Sequence, residues 1–174
     1  SLPLTCVFTG DASIRRRPMA RILDPLAAMG ATVVGRRNDT LPPFAIRGGN
    51  LRGITHRLPV ASAQVKSCIL LAGLRADGPT MILEPAASRD HTERMLRYGG
   101  GRVDREVLAD GCGRLTVWPH ERLQMQHISV PGDFSSAAFF IVAALLVPDS
   151  HLIVEGVGIN PTRTGLLDVL ERME

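Results

Sequence analysis

Apolar residues fall in short blocks along the chain, some alternating with polar ones and some recurring every three to four positions, and Gly and Pro separate the blocks. Thr5 to Thr9 reads as a first strand. After the loop Gly10-Asp11-Ala12-Ser13, apolar residues at Ile14, Met19, Ile22, Leu23, Leu26 and Met29 keep the helical period and predict a helix ending at Gly30. Pro18 near its start and Gly30 just past its end have the expected asymmetry, and Pro25 inside it predicts a kink or a break. Ala31 to Val34 and Phe44 to Arg47 follow as strands, with turn chemistry at Asn38-Asp39 and Pro42-Pro43.

The pattern then returns. Ile54 to Leu58 is strand-like, Ser62 to Leu74 a serine-capped helix, Thr80 to Leu83 a strand and Asp90 to Tyr98 a second helix, with Gly99-Gly100-Gly101 as its C-terminal stop. Val103 to Glu106 and Arg114 to Trp118 add two strands. Beyond His120 to His127 comes a third round: helix Ser135 to Val147, strand His151 to Glu155, helix Thr164 to Met173. Leu26, Gly30 and Val33 match Leu96, Gly100 and Val103 at an offset of 70, and Leu26 and Met29 match Leu170 and Met173 at 144. Ser62-Ala63-Gln64 matches Ser135-Ser136-Ala137 at 73. One supersecondary unit used repeatedly explains these offsets. The fold class expected is α/β (α+β), built of repeated β-α-β-α-β-β units, about two complete and a partial third. The third lacks its later strands, leaving edges that expect cover. The Pro-Gly break at Val130-Pro131-Gly132-Asp133 is the best boundary, giving domains 1–131 and 132–174.

Composition narrows the class. The 174 residues are 45% hydrophobic and 21% charged, ordinary for a folded globular chain and unlike a disordered one. The longest apolar run, Ala137 to Val147, is about half of what a membrane-spanning helix needs, so no membrane span is expected. Ser1-Leu2-Pro3-Leu4-Thr5 has neither the basic stretch nor the apolar core of a secretion signal, nor an initiator Met, and reads as the start of an excised or processed segment. Cys6, Cys68 and Cys112 stand singly, which fits a reducing, cytoplasmic compartment and neither a disulfide framework nor a zinc site. Lys66 is the only lysine among 20 basic residues, so the net charge of +3 is carried almost wholly by guanidinium, which suits phosphate and carboxylate ligands. Arginine on a solvated surface is the plainer explanation for any one of them.

Polar loops precede four helices, where free backbone N–H groups favour anions. Arg15, Arg16 and Arg17 lead into Pro18, and three cations at a positive helix end would be relieved by an anion. Ser62 is explained by capping alone, whereas Gln64 adds neutral hydrogen-bonding capacity; Lys66 reads as an isolated surface residue. In Ser88-Arg89-Asp90-His91-Thr92-Glu93, Ser88 or Asp90 is a cap, Arg89 a cation and His91 a donor without a triad partner. Asp133 reads as a cap or turn residue. The usual nucleotide and zinc fingerprints are absent.

Gly10-Asp11-Ala12-Ser13 with Arg16-Arg17-Pro18, Ser62-Ala63-Gln64-Val65-Lys66-Ser67, Arg89-Asp90-His91-Thr92-Glu93, Pro131-Gly132-Asp133 and Asn160-Pro161-Thr162-Arg163-Thr164-Gly165 together resemble the EPSP synthase family of enolpyruvyl transferases, in order and spacing along nearly the whole chain. The Ser62–Ser67 and Arg89–Glu93 forms look most like the bacterial subgroup with glyphosate-tolerant members. The resemblance implies a two-domain enzyme with three such units per domain, of which this chain is a middle portion: most of one domain, then the start of the other. Full-length members transfer the enolpyruvyl group of phosphoenolpyruvate to the 5-hydroxyl of shikimate-3-phosphate and need no metal or organic cofactor.

Residue by residue, the resemblance implies that Ser62, Ala63 (through its backbone), Gln64, Ser88 and Arg89 hold shikimate-3-phosphate, and that Arg17 and Gln64 meet phosphoenolpyruvate. His91 stands where other members have tyrosine. The family's N-terminal lysine and arginine, and the acid and base residues of the other domain, have no counterpart here, so turnover by this chain alone is expected to be negligible. Its partners would be the two substrates and the missing remainder of the enzyme. One rival is another enolpyruvyl transferase such as the UDP-N-acetylglucosamine enzyme, whose reactive cysteine loop is not recognisable around the three cysteines. The other is a non-catalytic anion- or nucleic-acid-binding module using Arg15 to Arg17, Arg36 and Arg37, against which stands the lack of aromatics interleaved with these arginines.

Overall fold

The computed structural model describes residues 4–125 and 127–173. Ser1, Leu2 and Pro3 of the N-terminal reading, Gln126 of the His120–His127 stretch and the terminal Glu174 lie outside the described residues. The chain divides into two compact units, one up to Gln124 and one from Met125 onward.

In the first unit, strand β1 (Thr5–Phe8) leads through a short 3-10 turn (Ile14–Arg16) to helix α1 (Ala20–Ala28). The single helix predicted from Ile14 is therefore two pieces, because Pro18 cannot continue the 3-10 hydrogen bonding. Pro25 does not break α1, which runs through it. Strand β2 (Thr32–Gly35) and β3 (Leu41–Arg47) are joined by a helical turn, α2 (Arg36–Asp39), in which Arg37, Asn38 and Asp39 have positive φ; the latter two are residue types that tolerate this region. Pro42 and Pro43 lie inside β3 instead of in the turn. The sheet is antiparallel with order β1-β3-β2, pairing Phe8 with Phe44, whose rings stack at 5.2 Å.

Next come β4 (Thr55–Arg57), α3 (Ala63–Gly73), β5 (Thr80–Glu84), α4 (His91–Tyr98), β6 (Val103–Val107) and β7 (Gly113–Val117). This copy of the repeat is complete, with strand order β4-β5-β7-β6, β4 parallel to β5 and the other pairs antiparallel. The first copy holds the later part of the same unit: β1, α1, β2 and β3 follow the connectivity of β5, α4, β6 and β7, and β1-β3-β2 repeats the order β5-β7-β6. The glycines aligned at an offset of 70 do the same job, Gly30 and Gly100 having φ of 104° and 85° just beyond their helices, a conformation costly for any side chain with a Cβ.

Strand alternation and the helical period meet in one core. Ile82 of β5 and Leu115 and Val117 of β7 face Val65, Ile69 and Leu70 of α3 and Leu96 of α4, joined by Met29 from the end of α1.

The second unit contains α5 (Phe134–Leu146), started by Asp133, and α6 (Gly165–Glu171). His151 to Glu155, predicted as a strand, forms none. A strand exists only by pairing its N–H and C=O groups, and among the described residues of this unit the nearest approach is a bridge between Gly132 and Val157. No helix among the described residues is long and apolar enough to cross a membrane.

Candidate functional site

Helix α3 begins at Ser62, whose extended backbone frees its Oγ to accept from Val65 N at 3.4 Å. Helix geometry leaves the N–H groups of Ala63 and Gln64 without an intrahelical acceptor. The neighbouring helix α4 starts at His91, after the loop that carries Ser88 and Arg89. Ser67 Oγ of α3 and Thr92 Oγ1 of α4 lie 2.6 Å apart and tie the two helix starts together. Between them opens a cleft of about 400 Å³ lined by Ala63, Gln64, Ser67, Arg89, His91 and Thr92.

Three of the six sequence-derived ligand residues, Ala63, Gln64 and Arg89, thus share one lining. Ser62 adjoins it as the cap. Ser88 precedes Arg89, but its Oγ donates to Glu84 Oε1, so the single hydroxyl proton faces the protein. Arg17 is not part of the lining. It ends the 3-10 turn, exposed, with its N–H bonded to Ile14 O at 3.0 Å. The expected charge conflict is also relieved without a ligand: Arg15 and Arg16 sit in the last turn of the 3-10 segment, the end that favours cations, and the Asp11 carboxylate accepts from Ile14 N at 2.8 Å.

Lys66, expected at the surface, is fully buried. Its Nζ lies 3.1 Å from Glu84 Oε1 and 2.8 Å from Glu93 Oε1, and both carboxylates are themselves 0–1% exposed. It donates as well to the Ser88 carbonyl at 3.4 Å. The Glu93 contact is close but off the direction of a hydrogen bond, and Glu84 Oε2 and Glu93 Oε2 also lack hydrogen-bond partners, with Arg105 Nη2 at 4.0 Å from Glu84 Oε2. A charged cluster therefore joins α3, the end of β5 and the first turn of α4 in the core.

The phase of the apolar periodicity marks this cluster in the sequence. Lys66 is three, four and seven positions before Ile69, Leu70 and Gly73, Glu84 is two after Ile82, and Glu93 is three before Leu96. Each charge occupies a core-facing position.

The arrangement suits an anion with a polar body. Arg89 supplies a guanidinium, the start of α3 supplies backbone donors and the positive helix end, and Gln64, His91 and Thr92 supply further side-chain hydrogen-bonding groups. Burial pushes the Cys68 thiol up, which makes it a poor nucleophile. Among the described residues no group of three His, Cys, Asp or Glu is placed to hold a metal ion.

The family model described as EPSP synthase (3-phosphoshikimate 1-carboxyvinyltransferase) matches residues 2–174. A 3-phosphoshikimate 1-carboxyvinyltransferase of Carboxydothermus hydrogenoformans is 58% identical over 173 residues, covering 99% of this chain and 39% of that protein. The relative of the same name from Desulforudis audaxviator is 57% identical over 171 residues, covering 98% and 39%. Among solved structures, an EPSP synthase from Acinetobacter baumannii aligns with a TM-score of 0.85 at 47% identity, over 98% of this chain and 38% of that one. The chain spans about 39% of the length of these curated relatives. On a match along almost its whole length, the chain belongs to the EPSP synthase (3-phosphoshikimate 1-carboxyvinyltransferase) family.

Proposed function

We propose that this chain supplies the shikimate-3-phosphate half-site of an enzyme that transfers the enolpyruvyl group of phosphoenolpyruvate to the 5-hydroxyl of that substrate. The observation that carries this reading is the single cleft in which Arg89 faces Ala63 and Gln64 at the start of α3. Arg89 and the α3 N–H groups take the phosphate, and Ser62 holds the helix start in place. Ser88 joins them when its hydroxyl exchanges Glu84 for a phosphate oxygen. Gln64 and His91 address the ring hydroxyls, and Arg17, which lies outside the lining, meets phosphoenolpyruvate with Gln64.

No side chain of the cleft is a built acid-base pair for the transferred proton, so this half-site binds without turning over. Residues 1–131 make up most of the substrate domain in this reading, and 132–174 open the domain that completes the enzyme, which is the chain's principal partner. Three free cysteines, two of them half-buried, support a reducing, cytoplasmic setting.

Calorimetric titration of the 174-residue chain with shikimate 3-phosphate tests the assignment. Weak binding that salt weakens further is expected, with a loss of about tenfold or more in Arg89→Ala and a smaller loss in Ser62→Ala. Heats that persist unchanged in both variants would remove the site from this cleft.

A further inference from the structure

We propose that Lys66 is a positioning residue whose buried ammonium pins the β5–α4 loop, with Ser88 and Arg89, against the first turns of α3 and so sets the width of the cleft. The inference deepens the substrate reading above and rests on it as far as shikimate 3-phosphate is concerned. One nitrogen makes three contacts: Glu93 Oε1 at 2.8 Å, Glu84 Oε1 at 3.1 Å and the Ser88 carbonyl at 3.4 Å. Three oxygens thus surround one ammonium, the Ser88 carbonyl as a hydrogen-bond acceptor and the two carboxylates as ion-pair partners. They also fall at three stations of one segment, since Glu84 ends β5, Ser88 lies mid-loop and Glu93 is in the first turn of α4. The Ser88 hydroxyl is drawn to the same Glu84 oxygen, so loop backbone and loop side chain answer to one pin. Lys66 itself lies one turn into α3 from Ser62, Ala63 and Gln64. The lysine therefore joins the helix and the loop-helix segment that carry the cleft's lining residues.

Stability alone is a poor reason for such a cluster. An apolar core of the same volume does as well or better than buried ions, and here two carboxylates share one ammonium, with only a distant, part-exposed Arg105 to help. What ions provide and apolar groups do not is direction. Lys66 acts through the loop and touches no substrate.

The decisive variant is Lys66→Met with Glu84→Gln and Glu93→Gln, which removes all three charges at nearly constant volume and avoids the unpaired carboxylates that Lys66→Met alone would leave. With the 174-residue chain, a cooperative melt is expected to persist while the Arg94 amide, which donates to the Asp90 carbonyl where the loop enters α4, exchanges at least about tenfold faster and shikimate 3-phosphate affinity falls about tenfold. A wild-type exchange rate at Arg94 would overturn the proposal. A chain that takes up no shikimate 3-phosphate even as wild type, yet whose loop loosens in the variant, would defeat the substrate reading and leave the pin standing. Should the triple variant not fold, Glu84→Gln decides: it keeps the Lys66–Glu93 pair, and faster exchange at the Arg94 amide with unchanged rates in β6 and β7 supports the pin, whereas unchanged rates throughout overturn it.

Discussion

Helices α3 and α5 hold the same place in successive copies of the repeat, and each starts at a side-chain cap, Ser62 in one and Asp133 in the other. Their burial is opposite to what their composition suggests. α3 contains Gln64, Lys66 and Ser67 yet buries Val65, Lys66, Ile69, Leu70 and Gly73. α5 is almost wholly apolar yet buries only Phe134 and Ala137, with Phe139 at 79% and Leu146 at 78% exposure. A helix apolar all round asks for burial on every side, but a sheet must be there to provide it. α3 has β4-β5-β7-β6 beneath it; in the unit from Met125 onward, no strand forms among the described residues. Apolarity is a demand on tertiary structure, and the same demand is met in one copy and unmet in the other.

The sharpest break of this contrast is Lys66→Met. Two buried carboxylates lose the ammonium that lies between them, and a cost of about 3–5 kcal/mol is expected. Urea unfolding followed through Trp118, the one tryptophan, reads it directly, because that indole donates to Asp104 Oδ2 at 2.8 Å and lies under the Arg102 guanidinium in the first unit. Second comes a matched pair. Ile69→Ala in α3 should cost about 2–5 kcal/mol by leaving a core cavity, whereas Phe139→Ala in α5 should stay within about 0.5 kcal/mol. Equal losses in the two, by urea midpoints from circular dichroism, would mean that α5 is packed after all.

The smallest effect concerns how α5 is started. The Ser135 backbone N–H first, then that of Ser136 and the Arg163 guanidinium, hold the Asp133 carboxyl below the usual carboxylate range. A lowered pKa contributes stability that is complete above the ordinary value of about 3.9 and is lost as pH falls through the lowered one. Amide protection in the first turn of α5 should therefore hold at neutral and mildly acidic pH, then fall at strongly acidic pH. Asp133→Asn should flatten that dependence, and an unchanged profile in the variant would assign the acid sensitivity to another group.

Several elements were legible because local chemistry produces them. The serine cap of α3, the left-handed glycines after α1 and α4 and the alternation in β5 and β7 are written in neighbouring residues. Ala63, Gln64 and Arg89, which the family resemblance picked out as ligand residues, fall in one lining at two loop-to-helix junctions. Pro42 and Pro43 misled because turn chemistry also fits the edge of a strand start. Lys66 misled because a lone lysine is usually solvated, and its two acidic partners lie 18 and 27 positions away.

By itself, then, the order of residues determined most of the elements and the repeated unit, which depend on short-range periodicity, and its motifs carried the family resemblance. Tertiary structure alone decided which of those elements are buried, where the Ser88 proton points and whether 151–155 becomes a strand. Burial, charge pairing and strand formation each require a second segment at a given distance, and no single stretch of sequence contains its own neighbour.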